Sequence, residues 1–237
     1  MNVLVTGARG FVGARVVAQL ERDGHSAAAL AGDVRDRTTH PAQKFDGVIH
    51  VASLISHRGD HSENELFDVN VNGTKALLES YPTANFVYVS TNDVQRATLS
   101  DYALSKLAAE QLVVGRAHSS VVRLPSIFGP NQRQQTKLIP LLIRAHVLGG
   151  KAPALTDEVR PCLFVDDAAV AICGGLTQTG LVIVKGIPIH NRVLDQLIAA
   201  GARGDTEDKA ALDHPQLFAQ LRTCVDAARQ RGPSPAL

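Results

Sequence analysis

The chain has 237 residues, with 24 Lys and Arg against 23 Asp and Glu. At about 150 residues per domain, this length predicts one domain or one and a half. Seven Phe, three Tyr and no Trp leave few side chains for stacking on bases, and the balanced charge provides no basic surface for phosphates. We therefore expect no nucleic-acid partner.

Signals for membranes and secretion are weak. The longest strongly apolar run, Leu138–Ile143, is six residues long, whereas a membrane-spanning helix needs about 18. The apolar opening is interrupted at Thr6, so we expect no signal peptide. The three cysteines have no metal-like spacing and fit a reducing compartment, which predicts a cytoplasmic location without a membrane partner. They are Cys162, Cys173 and Cys224.

Short apolar runs alternate with helical patterns along the chain. Most of the runs are continuously apolar, which is typical of parallel strands covered on both faces. The predicted strands are Asn2–Thr6, Ala27–Leu30, Gly47–Ala52, Asn85–Ser90, Ser120–Leu124 and Leu181–Lys185. The predicted helices are Val12–Arg22, Glu63–Ser80, Asp101–Gly115, Leu138–Gly149 and Asp166–Leu176. This alternation predicts an α/β fold with a doubly wound parallel sheet of the Rossmann type.

The sequence contains no linker between independent domains. We predict one structural unit over 1–237, with a Rossmann core at about 1–128 plus 163–186. The remainder, about 129–162 and 187–237, predicts a small, abbreviated C-terminal substrate-binding portion that ends in a frayed, Pro-rich tail at Gly232–Leu237. In the second predicted helix, apolar spacing indicates one buried face. Its members are Phe67, Val71, Thr74 and Leu78.

A glycine-rich loop joins the first predicted strand to the first helix. Gly7 allows a tight turn, Gly10 lets the backbone approach a pyrophosphate, and Gly13 lets the helix pack closely on the sheet. The N–H groups at the start of this helix attract phosphate. The pattern predicts a dinucleotide site.

Further motifs follow in a fixed order and resemble one family. They are Val48–Ser53 (VIHVAS), Asn70–Thr74 (NVNGT), Val87–Thr91 (VYVST), Tyr102–Lys106 (YALSK), Arg123–Pro130 (RLPSIFGP) and Arg160–Asp167 (RPCLFVDD). With the glycine loop, the chain over about 1–200 resembles the extended short-chain dehydrogenase/reductases, the NAD(P)-dependent epimerase/dehydratase family. The resemblance implies an enzyme that moves a hydride between nicotinamide and a carbinol or carbonyl carbon.

Tyr102 and Lys106 are four residues apart on a predicted helix and so project from the same face. A phenol with a pKa near 10 is a poor base, and a nearby ammonium lowers that pKa. We predict Tyr102 as the general acid and base, with Lys106 lowering its pKa. Taken without its context, the pair has the alternative interpretation of a solvated helix face.

Thr91 ends a predicted strand where such folds bind ligands, and the resemblance implies that it holds the reacting oxygen. Asp93 matches a position where dehydratases of the family carry an acid, although an Asp there also suits an ordinary turn. Asn70 matches a family asparagine, with a structural role as the alternative. Only ten residues separate Thr91 from Tyr102, fewer than in most members, which suggests a more open site.

The region between Gly24 and His50 is shorter than in the family, as if one strand were deleted or merged. The position of the acid that binds the ribose in NAD enzymes is Ala31 here, which favours NADP(H) slightly over NAD(H). Arg9 can reach a 2′-phosphate. Asp33 competes for the acidic role, or it belongs to a tight turn.

The resemblance implies a wider set of cofactor contacts. The full predicted set is Gly7, Arg9, Gly10, Phe11, Val12, Asp33, Val34, Ala52, Ser53, Tyr102, Lys106, Pro125 and Ile127. On the substrate side the candidates are Asp93 and Arg160; an Arg fork suits a diphosphate, with a surface ion pair as the alternative. We predict no metal site, because His50 lies in a strand and His57–Glu65 reads as a polar connector.

The predicted substrate is a small or nucleotide-linked molecule. A net ketone reductase and a nucleotide-sugar epimerase or dehydratase, which returns the hydride, are both consistent with these residues. A non-catalytic NAD(P)-binding sensor is the alternative from another class. The resemblance also implies a homodimer formed through the helices Glu63–Ser80 and Asp101–Gly115.

Overall fold

The computed structural model describes residues 1–56, 60–132 and 134–232. They form two compact units: Met1–Pro125 with Val165–Lys185, and Ser126–Phe164 with the chain from Gly186 onward. No helix within the described ranges is long and apolar enough to cross a membrane. Most of the Pro-rich tail for which we predict fraying lies outside these ranges.

The regular elements of the described chain are numbered in chain order. The strands are β1 (Asn2–Thr6), β2 (Ser26–Ala29), β3 (Gly47–His50), β4 (Asn85–Thr91), β5 (Ser119–Leu124), β6 (Ser126–Phe128), β7 (Val159–Phe164), β8 (Gly180–Ile183) and β9 (Ile187–His190). The α-helices are α1 (Phe11–Arg22), α2 (Glu63–Phe67), α3 (Gly73–Ser80), α4 (Asp101–Val113), α5 (Leu138–Leu148), α6 (Val165–Gly174), α7 (Asn191–Arg203), α8 (Lys209–Asp213) and α9 (Pro215–Arg231).

The first unit is built on a six-stranded sheet in the order β2-β1-β3-β4-β5-β8, with every neighbouring pair parallel. These are the six predicted strands, with ends moved by at most two residues. Helices α1 and α6 pack together, while residues of α3 and α4 join β4 in an apolar core. The predicted Rossmann-type α/β fold is confirmed.

The shortened region between Gly24 and His50 contains β2 and then β3, with only a 3₁₀ turn at Arg37–Thr39 between them. Strand β2 therefore forms the edge of the sheet beside β1. The expected loss of one strand is confirmed. A segment without strand structure replaces it, and its groups bond locally: the Asp36 carboxylate accepts from the N–H and the hydroxyl of Thr38.

The helix expected over 63–80 is interrupted. Helix α2 begins at a capping box formed by Ser62 and Glu65, and a π turn at Asp68–Asn72 separates it from α3. Of the predicted buried face, Thr74 is fully buried, Val71 and Leu78 are partly buried and pack against the apolar core, and Phe67 is only partly buried. The fully buried members include the polar Asn70 and Thr74. Burial is possible there because both side chains have hydrogen-bond partners inside.

The second unit contains a small sheet that the sequence did not predict. Its order is β6-β7-β9, and β7 and β9 are antiparallel with Pro161 opposite Pro188. Proline donates no ladder hydrogen bond, so neither segment reads as a strand from local sequence. Helices α5, α7 and α9 supply most of the apolar core of this unit.

Candidate functional site

The order of the strands creates a crevice at β1. The chain continues to β2 on one side of β1 and to β3 on the other, and α/β sheets bind ligands outside the carboxyl ends of strands at such a reversal. Gly7 follows β1 with φ +66°, and a Cβ on it would lie 2.9 Å from the backbone nitrogen of Ala52, just after β3. Only glycine lets the two strand ends approach this closely.

The start of α1 faces the same crevice from the glycine loop. The N–H of Gly10 donates to the carbonyl of Gly7 at 2.8 Å, which closes the turn. A Cβ on Gly13 would lie 2.0 Å from that carbonyl oxygen, so the helix cannot start here with a larger residue. In the described chain no side chain caps this end at Gly10. The first N–H groups of α1 therefore stay available to an anion.

Asn70 joins the segment after β3 to α4. It lies in the π turn, is 1% exposed, and its Oδ1 accepts from the N–H of Leu54 at 2.8 Å and from Ser53 Oγ at 3.0 Å. Its Nδ2 donates to the carbonyl of Leu54 at 3.0 Å and to Ser105 Oγ at 2.9 Å. Ser105 donates in turn to the carbonyl of Tyr102 at 2.8 Å. Both ends of the Asn70 amide thus hold site residues in place.

Helix α4 carries three buried polar residues on one side. Lys106 is 2% exposed, and its Nζ lies 4.1 Å from the centroid of the Tyr88 ring. Burial lowers the pKa of Lys106 to about 7, and the Glu110 carboxylate one turn on opposes this decrease. Glu110 is itself paired with Arg123 of β5, with Nη2 and Oε2 2.6 Å apart. Burial therefore weakens the hold of Lys106 on its proton, although the Glu110 carboxylate helps to retain it.

The expected lowering of the Tyr102 pKa is wrong for this structure. Burial raises the pKa of Tyr102 to about 12, and the negative charge of Asp93 raises it further, while the Ser53 hydroxyl lowers it. Two physical causes explain the difference: the phenol is desolvated, and its carboxylate neighbour opposes formation of a phenolate. Lys106 is not among the groups that shift the Tyr102 pKa.

Thr91 and Asp93 lie where β4 ends. Thr91 Oγ1 accepts the backbone N–H of Asp93 at 3.1 Å and so caps the 3₁₀ turn Asn92–Gln95. That contact leaves the proton of the Thr91 hydroxyl free to donate to another group. The Asp93 carboxylate pairs with Arg96 at 2.7 Å, and its side chain is 43% exposed.

Asp33 and Val34 lie in the segment that replaces the missing strand. The Asp33 carboxylate accepts from the side chain and the backbone N–H of Arg35, which lowers the pKa of Asp33 to about 2. Arg35 also donates to Asp68 of the π turn. Val34 is buried, and its Cγ2 lies 2.6 Å from where a Cβ of Gly73 would be. The Val34 side chain thus packs under α3.

The remaining candidates are distributed over both units. Within the first unit Arg9 is exposed, Phe11, Val12, Ala52 and Ser53 are half-buried, and Pro125 is buried after β5. Ile127 and Arg160 belong to the second unit. Arg160 donates there to Glu158 at 2.8 Å and to Asn191 at 3.2 Å, so its fork already has two partners.

Sequence reasoning missed a buried polar cluster. His50 hydrogen-bonds to Thr6 and to Thr74 under the crevice, and Ser105 links Asn70 to α4. The signal was a pair of polar residues at the ends of two otherwise apolar strands. His57, the first residue of the connector His57–Glu65, lies outside the described ranges. Within those ranges no three His, Cys, Asp or Glu side chains are placed to hold a metal.

A parallel sheet with a glycine turn, an uncapped helix N-terminus, and a helix that carries Tyr102 and the buried Lys106 defines a dinucleotide-binding protein of the Rossmann class. Residues 3–180 match the model of the NAD dependent epimerase/dehydratase family. The chain belongs to this family, which confirms the resemblance and the class of NAD-dependent enzyme inferred from the sequence.

Two curated relatives illustrate the range of the family. The ceramide reductase of Caulobacter vibrioides is 32% identical over 72% of this chain, and the match spans 60% of that protein. A dTDP-glucose 4,6-dehydratase of Streptomyces antibioticus is 28% identical over 99% of this chain and 88% of its own length. Among solved structures, RMD from Pseudomonas aeruginosa, complexed with NADPH, has the same fold, with a TM-score of 0.81, 22% identity and coverage of 97% and 98%.

Proposed function

We propose that this chain transfers a hydride between a nicotinamide cofactor and a carbinol or carbonyl carbon, with Tyr102 as general acid and base. The observation that carries the proposal is the grouping of a half-buried Tyr102 and a buried Lys106, held through Asn70, beside the end of β4 and a glycine-built crevice in the same unit. A solvated helix face would not bury Lys106 to 2% exposure.

The cofactor fits the crevice by shape and charge. Gly7 and Gly13 allow close backbone approaches that any Cβ would prevent, and the uncapped start of α1 suits a pyrophosphate. When bound, the nicotinamide ring supplies the hydride acceptor or donor. The other residues proposed to hold the cofactor are Arg9, Gly10, Phe11, Val12, Asp33, Val34, Ala52, Ser53, Tyr102, Lys106, Pro125 and Ile127.

Each catalytic group has a separate task. The Thr91 hydroxyl holds the reacting oxygen by a hydrogen bond, and Tyr102 gives that oxygen a proton in reduction or takes its proton in oxidation. The Ser53 hydroxyl, which otherwise donates to Asn70 Oδ1 at 3.0 Å, can turn to stabilise a Tyr102 phenolate. Because the phenol has a pKa of about 12 here and Lys106 does not shift it in this structure, the positive charge of a bound nicotinamide would have to lower that pKa for Tyr102 to act as a base near neutral pH.

The experiment is the substitution Tyr102→Phe. Removal of a general acid and base lowers turnover by about 10²–10⁴-fold, while the dissociation constant of the cofactor stays close to that of the wild type. Turnover is measured in steady-state assays, and cofactor binding by nicotinamide fluorescence. A variant that retains full turnover contradicts the assignment.

For the dinucleotide we propose NADP(H) over NAD(H). Ala31 supplies no carboxylate against a 2′-phosphate, Arg9 is exposed beside the glycine turn, and the charge of Asp33 is paired with Arg35. An Arg fork suits a phosphate dianion by charge and shape.

The overall reaction has two forms within this proposal. A net reductase, like the ceramide reductase among the relatives, releases its oxidised cofactor; a dehydratase or epimerase acting on a nucleotide-linked sugar returns the hydride. The absorbance of reduced nicotinamide changes in proportion to product in the first case only. In the second form Asp93 and Arg160 are the proposed substrate contacts. Cofactor binding without turnover on either substrate class would instead support a sensor.

We further propose a homodimer formed through α2–α3 and α4. Leu104 and Leu112 on α4 are each 38% exposed, which is high for large apolar side chains on one helix. Light scattering at micromolar concentration tests this, and a monomeric mass contradicts it. A cytoplasmic location is supported by Cys162, Cys173 and Cys224, which are buried and free.

A further inference from the structure

A buried histidine lies directly under the crevice. His50 is the last residue of β3, is 1% exposed, and pairs in register with Thr6 at the end of β1. Burial lowers the pKa of His50 to about 3, and Lys106 adds to this decrease, so the imidazole is neutral at neutral pH. His50 takes no part in the proposed proton transfer.

Two backbone groups determine the hydrogen positions around His50, because one of them can only donate a hydrogen bond and the other can only accept one. The N–H of Ala52 can only donate, and it does so to Thr6 Oγ1 at 3.1 Å. The carbonyl of Asn70 can only accept, and Thr74 Oγ1 lies 2.6 Å from it. The single proton of the Thr74 hydroxyl is therefore directed at Asn70.

These fixed ends determine the tautomer of the ring. His50 Nε2 lies 3.1 Å from Thr74 Oγ1, which must accept because its own proton is used, so the ring proton is on Nε2. His50 Nδ1 is then bare and accepts the Thr6 hydroxyl proton at 2.7 Å. When each group donates to the next one, from Ala52 through Thr6, His50 and Thr74 to Asn70, all of these groups have a hydrogen-bond partner.

We propose that His50, held as the Nε2–H tautomer, is a positioning residue that fixes the crevice wall and Asn70 in one mutual arrangement. The proposal rests on the proposed function for the identity of what the crevice binds. At one end the chain of bonds holds the Ala52 nitrogen, against which Gly7 packs. At the other end it holds Asn70, whose amide binds Ser53 beside Tyr102.

The opposite tautomer would break this arrangement. A bare Nε2 would take the Thr74 proton and leave the Asn70 carbonyl without that donor. A proton on Nδ1 would make Thr6 Oγ1 accept twice, from Ala52 and from His50, and the Thr6 hydroxyl proton would lose Nδ1 as its acceptor. Which ring nitrogen carries the proton therefore tests the proposal directly. A histidine that only filled space would have no fixed tautomer.

The first measurement uses the wild-type protein without ligand. Long-range ¹H–¹⁵N NMR on histidine-labelled protein separates the two tautomers, and the His50 signals are those lost in His50→Gln. We expect the Nε2–H form, unchanged between about pH 6 and 8. An Nδ1–H form, a mixture of tautomers or a charged ring overturns the proposal.

The second measurement uses a matched pair at Thr74. Thr74→Val keeps the shape but removes the acceptor for Nε2–H, while Thr74→Ser keeps the hydroxyl. We expect Thr74→Val to weaken NADPH and NADH binding by about tenfold and Thr74→Ser to restore it to within about twofold. Equal affinities of folded Thr74→Val and wild type, with folding checked by circular dichroism, contradict the positioning role.

The two measurements separate this proposal from the proposed function. If the wild type binds neither dinucleotide, the nicotinamide assignment fails, whereas the NMR result still decides the tautomer. If Thr74→Val does not fold, the tautomer of the wild type is still measured. The dinucleotide affinities of Thr6→Val and Thr6→Ser then provide the same comparison at the other end of the chain of hydrogen bonds. Equal affinities of folded Thr6→Val and wild type would then contradict the proposal.

Discussion

Two clusters of charge in the first unit pair the same chemical groups in opposite surroundings. In the ion pair of Glu110 with Arg123 the side chains are 1% and 14% exposed. In the ion pair of Asp33 with Arg35 the side chains are 45% and 42% exposed. Both pairs use a carboxylate and a guanidinium 2.6 Å apart. The two pairs differ in their contact with solvent. Water screens the charges of the exposed pair, whereas each charge of the buried pair depends on the other for its stabilisation.

The surroundings of the buried pair set the proton affinities of the site, whereas the exposed pair lies in a loop that faces solvent. Around Lys106 each charge changes the proton affinity of its neighbours because water is excluded. In the segment after β2 the charges hold a loop in place of the deleted strand and face solvent. We expect substitutions to change stability strongly in the first region and only slightly in the second.

The largest effect is expected from breaking the buried pair. Glu110→Gln leaves Arg123 charged and largely buried, which costs about 3–5 kcal/mol of unfolding free energy. Urea unfolding at pH 8 measures it. The matched control is Asp33→Asn, which breaks the exposed pair and should cost below about 1 kcal/mol. Similar losses for both variants would contradict the comparison.

Lys106 should make the protein less stable at neutral pH than its replacement by methionine. Its pKa is about 7 when folded, against 10.5 as a free side chain, so the unfolded chain binds the extra proton between these values. Wild-type stability should rise with pH through that window, and Lys106→Met should remove this contribution. Below about pH 7 the variant gains up to about 5 kcal/mol.

This stability is measured by urea unfolding from pH 6.5 to 9.5 on both proteins. Loss of the Tyr88 and Glu110 contacts reduces the gain, but the slope of the difference against pH keeps its sign. Parallel curves for wild type and Lys106→Met would show that Lys106 has an ordinary pKa in the folded protein.

The smallest of these effects concerns the exposed Arg9. One charge-assisted contact with a 2′-phosphate is worth about 1.5–3 kcal/mol, so Arg9→Ala should weaken NADPH binding by tenfold or more and leave NADH binding almost unchanged. Nicotinamide fluorescence titrations measure both constants. Equal NADPH affinities in wild type and variant, or tighter binding of NADH by the wild type, would reverse the proposed preference.

Local sequence was sufficient for much of this protein. Continuous apolar runs determined the six strands of the main sheet, and the glycine spacing identified the crevice, because strand burial and positive φ leave direct marks on residue type. The missing strand was also readable, since the distance from Gly24 to His50 leaves no room for it. The position of Tyr102 and Lys106 on one helix followed from their spacing.

Tertiary structure decided what those residues experience. Spacing could not show that burial raises the pKa of Tyr102 and lowers that of Lys106, because desolvation depends on what packs around α4. Nor could it show that Asn70 and His50 use all their polar groups inside, since their partners Ser105 and Thr74 lie 35 and 24 residues away. Hydrogen bonds between distant segments form only after the chain has folded, so the proton chemistry of the site is a property of its packing.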